Sequence, residues 1–133
     1  MKEVVLDASV VVKWFAEKRE RGSKAAKALR EEYVGGQLWI VVPSLLYLEL
    51  INVSGRRWLW NENKLISLAT ALENLGFYVA DPTLASVASW TGQGLTAYDA
   101  AYVGIAEERG IPLITDDRKI VALAPEIAKP LQS

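Results

Sequence analysis

The chain has 133 residues, 51% of them hydrophobic, with 15 Lys and Arg against 16 Asp and Glu for a net charge of −1. That length and apolar share suit a single domain over residues 1–133, large enough to fold without a disulfide or metal staple. The charge balance argues against whole-molecule attraction to nucleic acid or anionic lipid, and the absence of His and Cys excludes imidazole acid–base chemistry, thiolate nucleophiles and the usual zinc ligands.

Glu3 to Asp7 (EVVLD) is expected as a short buried strand that turns into a helix from Ala8 to Ala16. An Ala-rich helix follows from Ser23 to about Val34 and stops at Gly35-Gly36. Leu38 to Val42 (LWIVV) is a continuous apolar run halted by Pro43, as in a strand covered on both faces. Ser44 stands where it can cap a helix running through Glu49 and Asn52 towards Arg57. Leu65, Leu68, Leu72 and Leu75 share one helical face closed by Gly76, and Phe77 to Ala80 is a weaker strand. Asp81-Pro82 resembles a cap and first-turn proline for a helix to about Trp90. Gly92 and Gly94 break the chain. Thr96 then opens a helix through Glu108, and Gly110 ends it. Pro112 to Thr115 (PLIT) is expected as the last, central strand, before Asp116, Asp117 and a short helix. Trp14, Trp39 and Trp90 are expected in the core.

Short apolar runs alternating with longer helical patterns indicate an α/β fold, three layers α/β/α around a mainly parallel sheet. No segment suits a bilayer, because Leu38 to Val53 is interrupted by Pro43, Ser44, Glu49 and Asn52. Glu3 and Asp7 inside the first apolar stretch likewise do not fit a secretion signal, so a cytoplasmic protein is expected. In such folds ligands bind beyond the carboxyl ends of the strands, where the strand order switches. Asp7 closes the first strand and Asp117 lies just past the last, so both are expected in one crevice. Glu49 sits in an apolar helix and Asp99 in the first turn of another.

Each acid has an ordinary alternative. Asp7 can accept backbone N–H groups of the following helix, Thr96-x-x-Asp99 matches a capping box, and Asp117 can cap the last helix. Glu49 has neither explanation, leaving a buried pair with an arginine. Taken together, four carboxylates in one crevice repel each other and raise one another's pKa values unless a cation neutralises them. Mg²⁺ or Mn²⁺, one ion or two, suits such oxygen donors and supports hydrolysis at phosphorus.

These residues resemble the PIN domains, and within them the VapC-type toxin ribonucleases, over essentially the whole chain. Asp7-Ala8-Ser9 with Lys13-Trp14-Phe15 is similar to the family's opening, and Glu49-x-x-Asn52-Val53 to its second acidic motif. Tyr98-Asp99-Ala100-Ala101-Tyr102 is similar to the third, and Leu113-Ile114-Thr115-x-Asp117-Arg118 to the last. The resemblance implies a Mg²⁺- or Mn²⁺-dependent endoribonuclease acting on single-stranded RNA, with Asp7, Glu49, Asp99 and Asp117 around the metal. Ser9 and Thr115 would support them, while Asn52 and Tyr102, each three residues beyond an acid on a helix, would share its face. Asp116 is either an extra ligand or an exposed turn residue. A homodimer and a small antitoxin partner are implied as well.

Substrate contact must come from local positive charge. Arg56, Arg57 and Lys64 flank Trp58 and Trp60, and Arg118 and Lys119 border the expected crevice. Trp58 and Trp60 equally suit a subunit or partner contact. Two other classes place acids at strand ends: a structure-specific DNA or rRNA-processing nuclease, and a non-catalytic receiver-like regulatory domain. The first lacks an insertion to clamp a duplex, and the second lacks its late lysine.

Overall fold

A computed structural model describes residues 1–131. Five parallel strands form one sheet: β1 (Lys2–Leu6), β2 (Leu38–Val42), β3 (Tyr78–Val79), β4 (Leu113–Thr115) and β5 (Ala128–Pro130), in the order β3-β2-β1-β4-β5. Val5 stands opposite both Val41 of β2 and Leu113 of β4. β1 is therefore the central strand, and Val5, Leu6, Val41, Val42 and Leu113 are fully buried, as apolar runs covered on both faces should be.

Among the described residues seven helices connect the strands: α1 (Ala8–Val11), α2 (Ser23–Val34), α3 (Leu45–Arg56), α4 (Glu62–Asn74), α5 (Leu84–Gly92), α6 (Ala97–Arg109) and α7 (Arg118–Leu123). A 3-10 turn, Val12–Trp14, continues α1. Parallel crossovers are right-handed, so the helices after β1 and β2 cover one face and those after β3 and β4 the other. The expected three-layer α/β fold is the observed one. None of these helices is long and apolar enough to cross a membrane.

The order 3-2-1-4-5 switches direction between β1 and β4. A receiver fold runs 2-1-3-4-5, so the receiver-like alternative is set aside. Several local expectations are corrected as well. β4 is not the last strand, because β5 pairs along its outer edge. Ser44 does not cap α3; its N–H and hydroxyl go to Asp81, at 3.0 and 3.1 Å. With Asp81 so engaged, Thr83 caps α5 by accepting from the Ser86 N–H at 3.2 Å. Trp39 is no core residue, being 41% exposed against Tyr78. Trp90 is buried and Trp14 half-buried against Phe77. Gly110 ends α6 with φ +66°, the left-handed conformation that glycine adopts without a Cβ penalty.

Candidate active site

Asp7 follows β1 directly and is 4% exposed. It occupies the cap position of α1, yet its carboxylate caps nothing. One oxygen accepts the Ser9 hydroxyl at 2.6 Å and the other the Thr115 hydroxyl at 2.6 Å. Thr115 is the last residue of β4, so this bond is made across the switch point itself. The same hydroxyls accept backbone N–H groups, Ser9 from Asp116 at 2.9 Å and Thr115 from Asp117 at 3.0 Å. Each hydroxyl proton is thereby committed to Asp7. Burial nevertheless pushes the Asp7 pKa from 3.8 to about 6; the two hydroxyls oppose the shift and the charges of Asp99 and Asp117 add to it.

Asp99 lies in the first turn of α6, where its N–H donates to the Thr96 hydroxyl at 3.1 Å. Burial raises its pKa, as does Asp117, while the Thr96 hydroxyl and the Lys119 ammonium pull the other way. Glu49 projects from the middle of α3, half-buried, and accepts the Tyr102 hydroxyl of α6. Its pKa is raised by burial, lowered by the Tyr102 bond and raised again by Asp99. Burial and the neighbouring carboxylate push the Tyr102 phenol well above its ordinary value, so it stays protonated and serves as donor. Asp117 accepts the Lys119 and Ile120 N–H groups at 2.8 and 3.3 Å and so caps α7.

Asp7 thus feels the charges of Asp99 and Asp117, Asp99 that of Asp117, and Glu49 that of Asp99. No arginine pairs with Glu49, and none of the four acids joins an ion pair among the described residues. Asp116 behaves differently, since its carboxylate meets the Lys13 ammonium at 3.3 Å. Lys13 is only 7% exposed and also faces Glu20. The sequence places this lysine in the opening motif, six residues after Asp7, without pointing to its partner Asp116.

Not every expected residue gathers here. Asn52 is exposed and makes no bond to Glu49. Lys64 is drawn off by Glu17 and lies 4.2 Å from the centre of the Trp60 ring. Arg56 and Arg57 are exposed at the end of α3, where Arg57 lines a cavity with Glu17, Trp58 and Trp60. Arg118 and Lys119 are exposed on the first turn of α7, beside Asp117.

The donor set is all oxygen, with neighbouring negative charges left unneutralised, and this chemistry fits a hard divalent ion. Among the described residues no three carboxylates stand close enough to enclose one as they are.

Known proteins resemble the fold, and a family model matches the sequence. Among solved structures, the chain is similar to PAE2754 from Pyrobaculum aerophilum, with 24% identity and TM-score 0.69 over 98% of this chain and 90% of that one. It is similar to FitAcB from Neisseria gonorrhoeae, with 16% identity and TM-score 0.66 over 97% and 96%. FitAB bound to an IR36 DNA fragment matches with 16% identity and TM-score 0.64 over 96% and 94%. At such identities the likeness concerns the fold. Among the curated proteins compared, none matches this chain. The model of the PIN domain matches residues 4–125, from within β1 to just past α7 and across all four acids, so the chain belongs to the PIN-domain family of nucleases.

Proposed function

We propose that this protein is a Mg²⁺- or Mn²⁺-dependent endoribonuclease that hydrolyses phosphodiesters of single-stranded RNA to 5′-phosphate and 3′-hydroxyl ends. In this reading it is the toxin of a VapBC-type pair, a cytoplasmic homodimer blocked by a small antitoxin. The observation that supports the reading is the buried Asp7 at the carboxyl end of β1, beside the strand-order switch, which feels the charges of Asp99 and Asp117, while Glu49 feels that of Asp99.

Those four carboxylates would hold one or two ions. When bound, a divalent ion supplies charge neutralisation, activation of water and polarisation of the phosphoryl group. The chain's own contribution is pre-organisation. Ser9 and Thr115 fix both oxygens of Asp7, and each hydroxyl in turn accepts one backbone N–H, from Asp116 and Asp117 respectively. Tyr102, kept protonated, orients Glu49 from the neighbouring helix. Asp117 is held by its capping bonds and Asp116 by Lys13, which fixes the turn after β4. Rigid supporting bonds of this kind set the productive geometry of an acidic site.

The structure of FitAB bound to a DNA fragment is the one support for a second reading, cleavage of DNA or of structured rRNA. One assay separates the two: labelled single-stranded RNA and duplex DNA, each with Mg²⁺, Mn²⁺ or EDTA, for wild type and Asp99→Asn. Metal-dependent RNA cleavage that Asp99→Asn abolishes is expected. Cleavage of DNA alone would favour the second reading, and cleavage of neither would overturn both.

A further inference from the structure

We infer that the groove between the 3-10 turn and α2 is the track along which the phosphate backbone of a single-stranded RNA substrate approaches the carboxylate crevice. The inference rests on the nuclease reading and adds the residues that grip the substrate.

The groove encloses about 530 Å³ and is walled by the exposed Lys18, Arg19, Lys24, Lys27 and Arg30, with the more buried Lys13 and Trp14. No acid lines it. Among the described residues, none of those five exposed cations joins an ion pair. Lys24, Lys27 and Arg30 recur every third residue of α2, which sets them along one side of the helix, about 4.5 Å apart in rise. A net charge of −1 therefore conceals a strongly segregated surface.

The groove is joined to the crevice by contacts. Lys13, in its wall, pairs with Asp116, whose N–H donates to Ser9, whose hydroxyl donates to Asp7. A smaller pocket of about 270 Å³, which Asp116 also lines, carries Arg21 and Arg118. Lys13 in the groove and Arg21 and Arg118 in the smaller pocket thus bring cations to the hollows bordering Asp116.

Physical chemistry favours a nucleic-acid strand in this place. Four carboxylates repel a polyanion, so phosphates neighbouring the scissile one need cations just outside the crevice, and exposed Lys and Arg supply that sequence-independent attraction. An amphipathic protein helix would need apolar anchors. The groove offers little beyond Ala16 and Trp14, whose indole N–H is already given to the Ala26 carbonyl at 2.8 Å.

The test uses the full chain in EDTA, so that binding is read without cleavage. Anisotropy of a labelled single-stranded RNA is followed over a salt series for wild type, Lys24→Gln/Lys27→Gln/Arg30→Gln, Lys18→Gln/Arg19→Gln and Lys129→Gln. Loss of three phosphate contacts should flatten the log–log salt slope by about 2 and weaken binding about 100-fold at 0.1 M salt. Lys18→Gln/Arg19→Gln should flatten it by about 1.4. Lys129, exposed on β5, reports the effect of charge alone and should change neither. With metal restored, the triple variant should cut a dinucleotide as wild type does and a long strand more slowly. Unchanged RNA binding in the folded triple variant would overturn the proposal, as would polyglutamate displacing RNA and binding more tightly, which would assign the groove to an acidic protein segment. If groove variants lose RNA affinity as stated but wild type cuts neither length, the groove stands and the nuclease reading fails.

Discussion

Asp7 is the group whose ionisation the fold opposes most legibly. Its pKa rises from 3.8 to about 6, and at about 1.36 kcal/mol per unit that makes the ionised form about 3 kcal/mol less favourable in the folded than in the unfolded chain. The sign follows from the direction of the shift. A carboxyl with a raised folded pKa contributes its full stability below about pH 4 and loses it as the pH climbs through about 6. Without metal, Asp7→Asn removes that loss but gives up one acceptor to the Ser9 and Thr115 hydroxyls, a cost of about 1 kcal/mol. Asp7→Asn should therefore exceed wild type by about 2 kcal/mol at about pH 7.5 in EDTA, or about 7 °C in Tm. Near pH 4 the advantage should vanish. Urea unfolding of both proteins across this range, in EDTA, reads the difference, with titrating groups remote from Asp7 cancelled. A variant less stable than wild type at pH 7.5, or a difference that does not vary with pH, would refute the reasoning.

Three further outcomes follow from individual contacts. Thr115→Val removes a hydroxyl that holds the Asp7 pKa down, so it should destabilise by about 1–3 kcal/mol at about pH 7.5 and by less near pH 4, as denaturant titration would show. Tyr102→Phe removes the bond that lowers the Glu49 pKa; the acidic limb of the cleavage–pH profile should move to higher pH while far-UV dichroism stays unchanged. Gly104→Ala would set a Cβ 2.8 Å from the Ser86 hydroxyl oxygen and 3.1 Å from the Pro82 Cβ, costing about 1–3 kcal/mol at the α5–α6 contact. Because that hydroxyl oxygen is buried without a partner among the described residues, Ser86→Ala in the same chain should recover part of the loss in a thermal melt.

How much of this was legible in sequence depended on how local each signal was. The runs EVVLD, LWIVV and PLIT carry their own pattern and appear as β1, β2 and β4. β5 escaped notice because Ala128–Pro130 is three residues long and contains a proline, tolerable only at a sheet edge. Ser44 and Asp81 each look like a cap in isolation, yet they satisfy each other across 37 positions, and Thr83 takes the cap of α5. Trp39 lies in an apolar run, but β2 is covered by the two-residue β3, which leaves that ring half open. The acids were legible singly through their neighbours in sequence. Their mutual influence and the two hydroxyl bonds that Ser9 and Thr115 give to Asp7 depend on β1 lying beside β4. The basic groove was least visible, since Lys24, Lys27 and Arg30 read as the solvated side of an ordinary amphipathic helix until the fold sets Lys18 and Arg19 opposite them.

The central claim is that Asp7, Glu49, Asp99 and Asp117 act as one cation-holding unit, and calorimetric titration of Mn²⁺ into the metal-free protein at about pH 7.5 tests it most directly. The account predicts saturable binding of one or two ions per chain, weakened at least about tenfold by Asp99→Asn and by Glu49→Gln, and unaffected by Lys129→Gln. Heats no larger than dilution, or equal affinity in wild type and Asp99→Asn, would contradict it.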